Sequence, residues 1–293
     1  MTATAEALRW RSPALAFANQ LGWAMVTLPE TTPAAPSRCC TVCQSGPPCA
    51  PPVRYCGPVE TATLLQGLLW FAAFLFSTTV HEAAHAIAAL RGGDPTAYLG
   101  GQVSFSPLPH IRREPIGMLV VPLLTAFTNG WAVGWASTPY DPVWAAHYPR
   151  RAAAMAAAGP AGNLLIATLA FAVIRGGLAV GFFDSPDHVT FSHLVAAANG
   201  AGWLGVLGDV LSVLLILNLL LFVFNMLPFP PLDGASAIGG VLPERAALTL
   251  RNFTASPIFS LLGIFIAWQV FPHVVGPIFS ALLALVHPAD RYS

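Results

Sequence analysis

Three ionisable residues, His81, Glu82 and His85, follow directly on a long apolar run of the sequence. Their spacing is HExxH. Because positions i and i+4 share one face of a helix, both imidazoles can point at one metal ion. Glu82, one residue further on, can reach a metal-bound water rather than the metal itself. Since ionisable groups inside apolar segments are costly and usually functional, the motif predicts a zinc centre that acts on water.

The third zinc ligand has to come from elsewhere in the chain, because a catalytic zinc site takes three protein ligands and leaves one position for water. The metzincin pattern fails, since the sequence has Ala88 and Arg91 where that pattern needs glycine and histidine. A helical glutamate spaced as in thermolysin-like enzymes is also missing, the nearest being Glu114. Asp233 is a candidate, because its carboxylate ends the charge-free segment 210–232. Its alternative role is that of a helix cap at the membrane surface.

The amino-acid composition indicates the environment in which these residues lie. Of the 293 residues only 9% are charged and 55% are hydrophobic, with a mean hydropathy of +0.65, whereas about 25% are charged in soluble domains. A soluble or disordered chain is therefore excluded. The 13 basic and 13 acidic residues cancel and form no basic run, so we expect no nucleic-acid partner. The lipid bilayer is the predicted environment.

Charge-free intervals locate the membrane segments: 61–80, 115–140, 152–174, 210–232 and 252–289. About 20 apolar residues cross the hydrocarbon core as a helix. The first four intervals fit one helix each, and the last is long enough for two passes with a break near Pro272 and Pro277. The sequence thus predicts an all-α polytopic membrane protein with about five to six transmembrane helices.

Two further segments carry local predictions. Strand-like alternation around Gly100 and Gly101 in 92–110 predicts a small β-hairpin after the HExxH helix. Segment 1–60 is rich in proline and contains all five cysteines, namely Cys39, Cys40, Cys43, Cys49 and Cys56. A disulfide cluster outside the cytoplasm is the leading interpretation of these cysteines; a small metal site and a tail of reduced thiols are the alternatives.

Three motifs in order along the chain resemble a known family: HEAAH at 81–85, AGPAGN at 158–163 and NMLPFPPLDG at 225–234. Together they look like the site-2 proteases, intramembrane zinc metalloproteases of peptidase family M50, over about 81–240. The resemblance implies that His81, His85 and Asp233 bind one Zn²⁺ per chain and that Glu82 is the catalytic base.

The same resemblance implies that Asn225 and Asn163 bind substrate. For Asn163 and Gly159 the alternative is plain packing between helices. In the family a small sheet near the active site can pair with an extended substrate, and we expect this of the 92–110 hairpin. The alternative is an ordinary surface hairpin. A full crossing of 115–140 would reverse the next helix relative to the family core, so we interpret it as a re-entrant segment. The interval 164–224 has no room for a PDZ domain, which predicts a compact form.

The resulting organisation has three parts: a Cys/Pro-rich segment 1–60, a metalloprotease core 61–240 and a C-terminal membrane helix region 241–293. The loops 91–151 and 228–256 carry seven arginines, so their face is predicted to be cytoplasmic. The active site would lie nearer that face, in the inner membrane of a bacterial cell.

The predicted function is hydrolysis of peptide bonds in or near transmembrane segments of membrane proteins, as in regulated intramembrane proteolysis. A metal-ion transporter and an inactive membrane scaffold are the alternatives. A protease requires Glu82 as a base, whereas transport does not. The Glu82→Gln variant therefore distinguishes a protease from a transporter.

Overall fold

The computed structural model describes residues 61–200, 202–254 and 256–288. Segment 1–60, with its five cysteines and predicted disulfide cluster, lies outside the described residues.

The described chain is helical with one small sheet. Its helices are α1 (Thr61–Arg91), α2 (Thr96–Leu99), α3 (Pro107–Arg113), a π-helical stretch (Ile116–Val120) that continues into α4 (Val121–Asn129), α5 (Pro142–His147), α6 (Pro149–Ala179), α7 (Gly202–Asn225), α8 (Asp233–Ile238), α9 (Glu244–Thr254) and α10 (Pro257–Val286). Strands β1 (Phe183–Asp184) and β2 (Ala196–Ala197) pair antiparallel, with Phe183 opposite Ala197.

Four helices, α1, α6, α7 and α10, are long and apolar enough to cross a membrane. They contain 24 to 31 residues, which corresponds to about 36–46 Å of helix. Helices α1, α6 and α7 pack against one another and bury Trp70, Phe74, Ile174 and Ile216. Helix α10 lies more to the outside and leaves large apolar side chains such as Leu261 and Phe265 exposed, as lipid contact requires. The protein is an integral membrane protein.

The prediction of two passes in 252–289 is wrong, because α10 is one continuous helix with Pro272 and Pro277 inside it. Proline is tolerated in membrane helices where neighbouring groups satisfy the backbone that it leaves unpaired. Side chains of α10 also bond to backbone carbonyls one turn back, His273 to Gln269 and Ser280 to Gly276. The two prolines therefore did not mark a turn.

Segment 115–140 forms a helix over Ile116–Asn129, about 21 Å long, which is short of a full crossing. Gly130 ends it in a left-handed conformation with φ 76°, and the chain then returns without regular secondary structure. The Trp135 amide donates to the Gly117 carbonyl at 3.1 Å. A Cβ at Gly117 or Gly134 would overlap the opposite arm, so this segment doubles back on itself. The described residues thus contain four long apolar helices rather than five or six.

The β-hairpin predicted for 92–110 is also wrong, since that range holds α2 and the start of α3. The Asp94 carboxylate accepts a hydrogen bond from the Thr96 amide at 2.9 Å, a local turn that starts α2. Pro107 occupies the first position of α3, where its missing N–H costs nothing. The alternating residues between these helices pair with no strand in the part of the chain that the structure describes. The small sheet lies instead in the connection between α6 and α7.

Helix α6 runs antiparallel to α1 and α7, since His81 and His85 in the second half of α1 meet Asn163 and Met155 in the first half of α6, and Asn163 meets Asn218 in the second half of α7. The segment that connects α1 to α6 and the segment that connects α7 to α10 therefore lie at the same end of the bundle. The opposite end is closed by contacts with the C-terminal end of α10. There His287 Nε2 donates to the Leu194 carbonyl at 2.8 Å, and Arg175 donates to the Val286 carbonyl at 2.6 Å. The end with the arginine-rich loops is therefore also the end at which α1, with its HExxH motif, terminates.

Asp94 ties the end of α1 to the returning segment that follows α4. Its side chain is 1% exposed. Oδ1 accepts from the Thr96 amide and hydroxyl, and Oδ2 accepts from the Asp141 amide at 2.8 Å. Burial alone would raise the pKa of this carboxyl, but the hydrogen bonds from Thr96 and Asp141 outweigh it and lower the pKa below its usual value of 3.8.

We predict that Asp94→Asn lowers the unfolding free energy by about 1.5–3 kcal/mol at neutral pH, because an amide would turn an N–H toward the Asp141 N–H. The folded-state pKa is depressed, so the stabilisation is present above pH 3.8 and is lost as the pH falls through the lowered value. Thermal unfolding of both proteins in detergent should show a gap in Tm that narrows below pH 3.8. A gap that is constant with pH would contradict this.

Candidate metal centre

Three potential ligands from two distant parts of the chain converge beside α6. His81 Nε2 and His85 Nε2 on α1 are 3.0 Å apart. Asp233 Oδ2, at the start of α8, lies 3.2 Å from the first and 3.4 Å from the second. The two histidines are 7% and 6% exposed. Of the histidine, cysteine and acidic side chains in the described residues, these three form the one cluster that could hold a metal ion.

The far side of each imidazole is held by a hydrogen bond. His81 Nδ1 meets Asn163 Oδ1 at 2.6 Å, and His85 Nδ1 meets the Met155 carbonyl at 2.7 Å. Both partners are acceptors, so both Nδ1 atoms carry a proton and both Nε2 atoms face the cluster. This arrangement of the outer nitrogen is the one that metal-ligating histidines use.

The loop 226–232 delivers Asp233. Leu227 and Leu232 are buried in it, and a Cβ at Gly234 would overlap the Met226 carbonyl, so the residue after Asp233 has to be glycine. Burial raises the pKa of the Asp233 carboxyl, whereas the neighbouring His85 and His81 lower it, and the net pKa lies well below the usual value. Asp233 is therefore a carboxylate at neutral pH.

The geometry of the cluster fits a zinc ion. Two imidazole nitrogens and a carboxylate oxygen face one another at 3.0–3.4 Å, a spacing that a cation shared by the three atoms would stabilise. A tetrahedral zinc with bonds of about 2.0–2.2 Å separates its ligands by about 3.3–3.6 Å. Gly159 on α6 forms the wall behind the cluster, and a Cβ there would overlap the Nε2 atoms of both histidines. The donor set, two histidines and one carboxylate, is one that catalytic zinc sites use.

Glu82 is 4% exposed and stands apart from the three clustered ligand atoms. Its Oε2 accepts a hydrogen bond from the Thr138 hydroxyl at 2.7 Å. Thr138 lies in the segment that returns after α4, so this segment runs past the HExxH motif. The Thr138 hydroxyl thus fixes the position of Oε2.

The two asparagines predicted to bind substrate lie in different settings. Asn163 is fully buried and contacts His81, Asn218 and Ser77. Asn225, at the C-terminal end of α7, is half-buried, and its Nδ2 donates to the Leu221 carbonyl at 3.0 Å. The structure brings Asn163 to the ligand cluster, while Asn225 donates a hydrogen bond to its own helix.

Sequence reasoning missed Thr138 and Asn218. Thr138 gives no signal in the sequence, because only the doubling back of the chain brings it to Glu82. Asn218 does give one, since it is an amide in the middle of a charge-free apolar run, where polar groups need partners.

A comparison with protein families finds a match to the model of peptidase family M50 over residues 69–270. The chain belongs to peptidase family M50. The match covers more than half of the chain and includes His81, His85 and Asp233. No solved structure matches.

Curated relatives of this M50 member carry consistent names. A protein of Bacillus subtilis (strain 168) named "Putative zinc metalloprotease YwhC" is 31% identical over 206 residues, 67% of this chain and 82% of its own length. "Putative zinc metalloprotease Rip2" of Mycolicibacterium smegmatis is 29% identical over 58% of this chain and 56% of its own length. Rip2 of Mycobacterium tuberculosis (strain H37Rv) is 29% identical over 67% and 66%. Family and names together support a membrane-embedded zinc metalloprotease.

We predict that Gly159→Ala abolishes stoichiometric zinc binding and activity, because the added methyl group would occupy the space of the two histidine Nε2 atoms. Gly162→Ala on the same helix is the matched control. Its methyl group would meet Ala84 Cβ at 3.5 Å and Val80 Cγ1 at 3.6 Å, which are ordinary contacts. Zinc content per chain of both purified variants is the measurement. Full zinc occupancy in Gly159→Ala would contradict this description of the site.

Proposed function

We propose that the chain is an intramembrane zinc metalloprotease that hydrolyses peptide bonds in or near transmembrane segments of membrane proteins, as in regulated intramembrane proteolysis. The observation that carries the proposal is the buried cluster of His81, His85 and Asp233 inside a bundle of membrane helices, with Glu82 directly after His81 on the same helix. Because the described residues hold this ligand set once, we propose one zinc ion per chain.

The chain's own residues supply binding and proton transfer. A zinc ion in such a site acts as a Lewis acid and lowers the pKa of water to about 7. Glu82 is the general base: with Oε2 held by Thr138, Oε1 accepts the proton of the attacking water and later passes it to the leaving amine. His81 and His85 hold the metal through Nε2, with Asn163 and Met155 fixing the orientation of the rings.

For substrate contact we propose Asn225. It is the last residue of α7 and lies eight residues before Asp233, the first residue of α8. We propose for Asn163 the role of orienting His81, since its side chain is already engaged by His81 and Asn218. A transmembrane substrate has its carbonyls in helical hydrogen bonds, so the cleaved stretch must unwind locally before it enters the site.

The position of the site along α1 supports a location nearer the cytoplasmic face. His81 and His85 lie ten and six residues before Arg91, about 9–15 Å from the end of the helix. That end carries the arginine-rich loops, which favour the cytoplasmic side. We propose the inner membrane of a bacterial cell as the location, residues 61–240 as the catalytic core, and 241–293 as a membrane helix region packed beside it.

Reconstitution of the purified protein with candidate transmembrane peptides tests the proposal. We predict that Glu82→Gln lowers the cleavage rate by at least about 100-fold while zinc content is unchanged, because the base is lost and the ligands are intact. Asp233→Ala should lose both zinc and cleavage.

The same experiment separates the alternatives. Cleavage that persists in Glu82→Gln, or after thorough zinc chelation, would overturn the proposed mechanism. Zinc flux into proteoliposomes that is equal in wild type and Glu82→Gln, without cleavage in either, would favour a transporter.

A further inference from the structure

A fully buried hydrogen-bond network of two asparagines and a serine lies behind His81 and links three membrane helices. Its members are Ser77 on α1, Asn163 on α6 and Asn218 on α7, each 0% exposed. Asn163 Nδ2 donates to Asn218 Oδ1 at 2.8 Å and to the Ser77 carbonyl at 3.3 Å. Asn218 Nδ2 donates to the Leu214 carbonyl and to Ser77 Oγ, both at 2.8 Å. The network reaches the metal cluster through the bond between Asn163 and His81.

Two backbone carbonyls fix which way each amide points. A carbonyl only accepts hydrogen bonds, so the Asn218 atom next to the Leu214 carbonyl has to be the NH₂ group. Asn218 therefore turns its oxygen toward Asn163. The Asn163 atom between that oxygen and the Ser77 carbonyl has two acceptors beside it, so it too has to be the NH₂ group. The reverse orientation of either amide would place oxygen against oxygen in a buried site, at a cost of about 1–3 kcal/mol for each unmatched group.

The orientation of the Asn163 amide determines which of its atoms faces His81. With its NH₂ group committed to Ser77 and Asn218, Asn163 can present only its oxygen to His81 Nδ1, 2.6 Å away. Nδ1 must then carry the single proton of the neutral ring, and Nε2 keeps its lone pair toward the metal. Without Asn218, the Asn163 amide loses one of the two acceptors that fix its orientation.

We infer that Asn218 is a positioning residue: it fixes the orientation of the Asn163 amide and thereby holds His81 in the tautomer that binds zinc. The inference rests on the proposed zinc site. Because Asn218 lies on α7, the ligand geometry on α1 depends on the packing of all three core helices. Asn218 touches neither metal nor substrate in this role.

A simpler role for Asn218 is to hold helices together through polar contacts, as asparagines do in membranes. Ser212 offers a control for that role on the same helix. It is also 0% exposed, and its hydroxyl accepts from the Leu194 amide at 2.9 Å and donates to the Gly208 carbonyl at 2.7 Å. Ser212→Ala thus removes buried hydrogen bonds from α7 without touching the network behind His81.

The test is zinc affinity, measured by competition with a chelator on the full-length purified protein, for wild type, Asn218→Leu, Ser212→Ala and Asp233→Ala. Loss of a partner behind a metal-ligating histidine typically weakens metal binding 10–100-fold. We expect a loss in that range for Asn218→Leu and an unchanged affinity for Ser212→Ala. Equal affinities in wild type and Asn218→Leu, or an equal loss in both α7 variants, would overturn the inference.

The outcome separates this inference from the proposed function. If wild type binds one zinc and Asp233→Ala does not, the zinc site stands whatever Asn218→Leu does. If Asp233→Ala binds zinc as tightly as wild type, the site and the inference built on it both fail.

A second measurement holds even if Asn218→Leu does not fold. The ¹⁵N NMR shifts of histidine-labelled, zinc-free wild type at a pH where His81 is neutral report which ring nitrogen carries the proton. His81→Ala identifies the signals. We expect His81 to be protonated at Nδ1; protonation at Nε2 would overturn the inference.

Discussion

Three electron-pair donors that face one another inside a membrane protein are the constraint on which the rest of this structure depends. His81 Nε2, His85 Nε2 and Asp233 Oδ2 lie 3.0–3.4 Å apart, and a cation shared by the three atoms would stabilise this arrangement. It also has to be held against relaxation when the cation leaves. The rings are held from behind by Asn163 and by the Met155 carbonyl. The carboxylate is held by a short loop whose glycine, Gly234, can approach the Met226 carbonyl closely.

The arrangement of the helices follows from the need to hold these three ligands together. Helix α6 has to pass close to α1 at the ligands, and Gly159 provides the space. Helix α7 then carries the chain back to the end at which α1 terminates, so that Asp233 arrives beside the histidines. Helix α10 adds support from outside: a Cβ at Gly263 would overlap the Pro230 carbonyl, so α10 packs directly on the loop that delivers Asp233. At Gly159 a Cβ would overlap the ligands, and at Gly234 and Gly263 it would overlap the loop that delivers Asp233.

The sequence predicted which ligand side chains converge better than it predicted the architecture. The histidines, Glu82 and Asp233 are ionisable residues next to apolar runs, so they are conspicuous in a chain with 9% charge. The β-hairpin at 92–110 failed because alternation of side chains says nothing about a partner strand, and Asp94 starts a helix there instead. Pro272 and Pro277 suggested a turn, yet both fit inside one membrane helix. Thr138 and the orientation of the two amides depend on contacts between residues distant in the sequence, which no local pattern records.

The central claim is that zinc is held by two histidines and a carboxylate and not by the cysteines of segment 1–60. X-ray absorption at the zinc edge on the purified full-length protein tests this most directly. The described ligand cluster predicts a first shell of nitrogen and oxygen at about 2.0–2.2 Å, with the outer scattering of two imidazoles. A sulfur shell at about 2.3 Å would contradict it, because it would place the bound zinc on cysteine thiolates away from His81, His85 and Asp233.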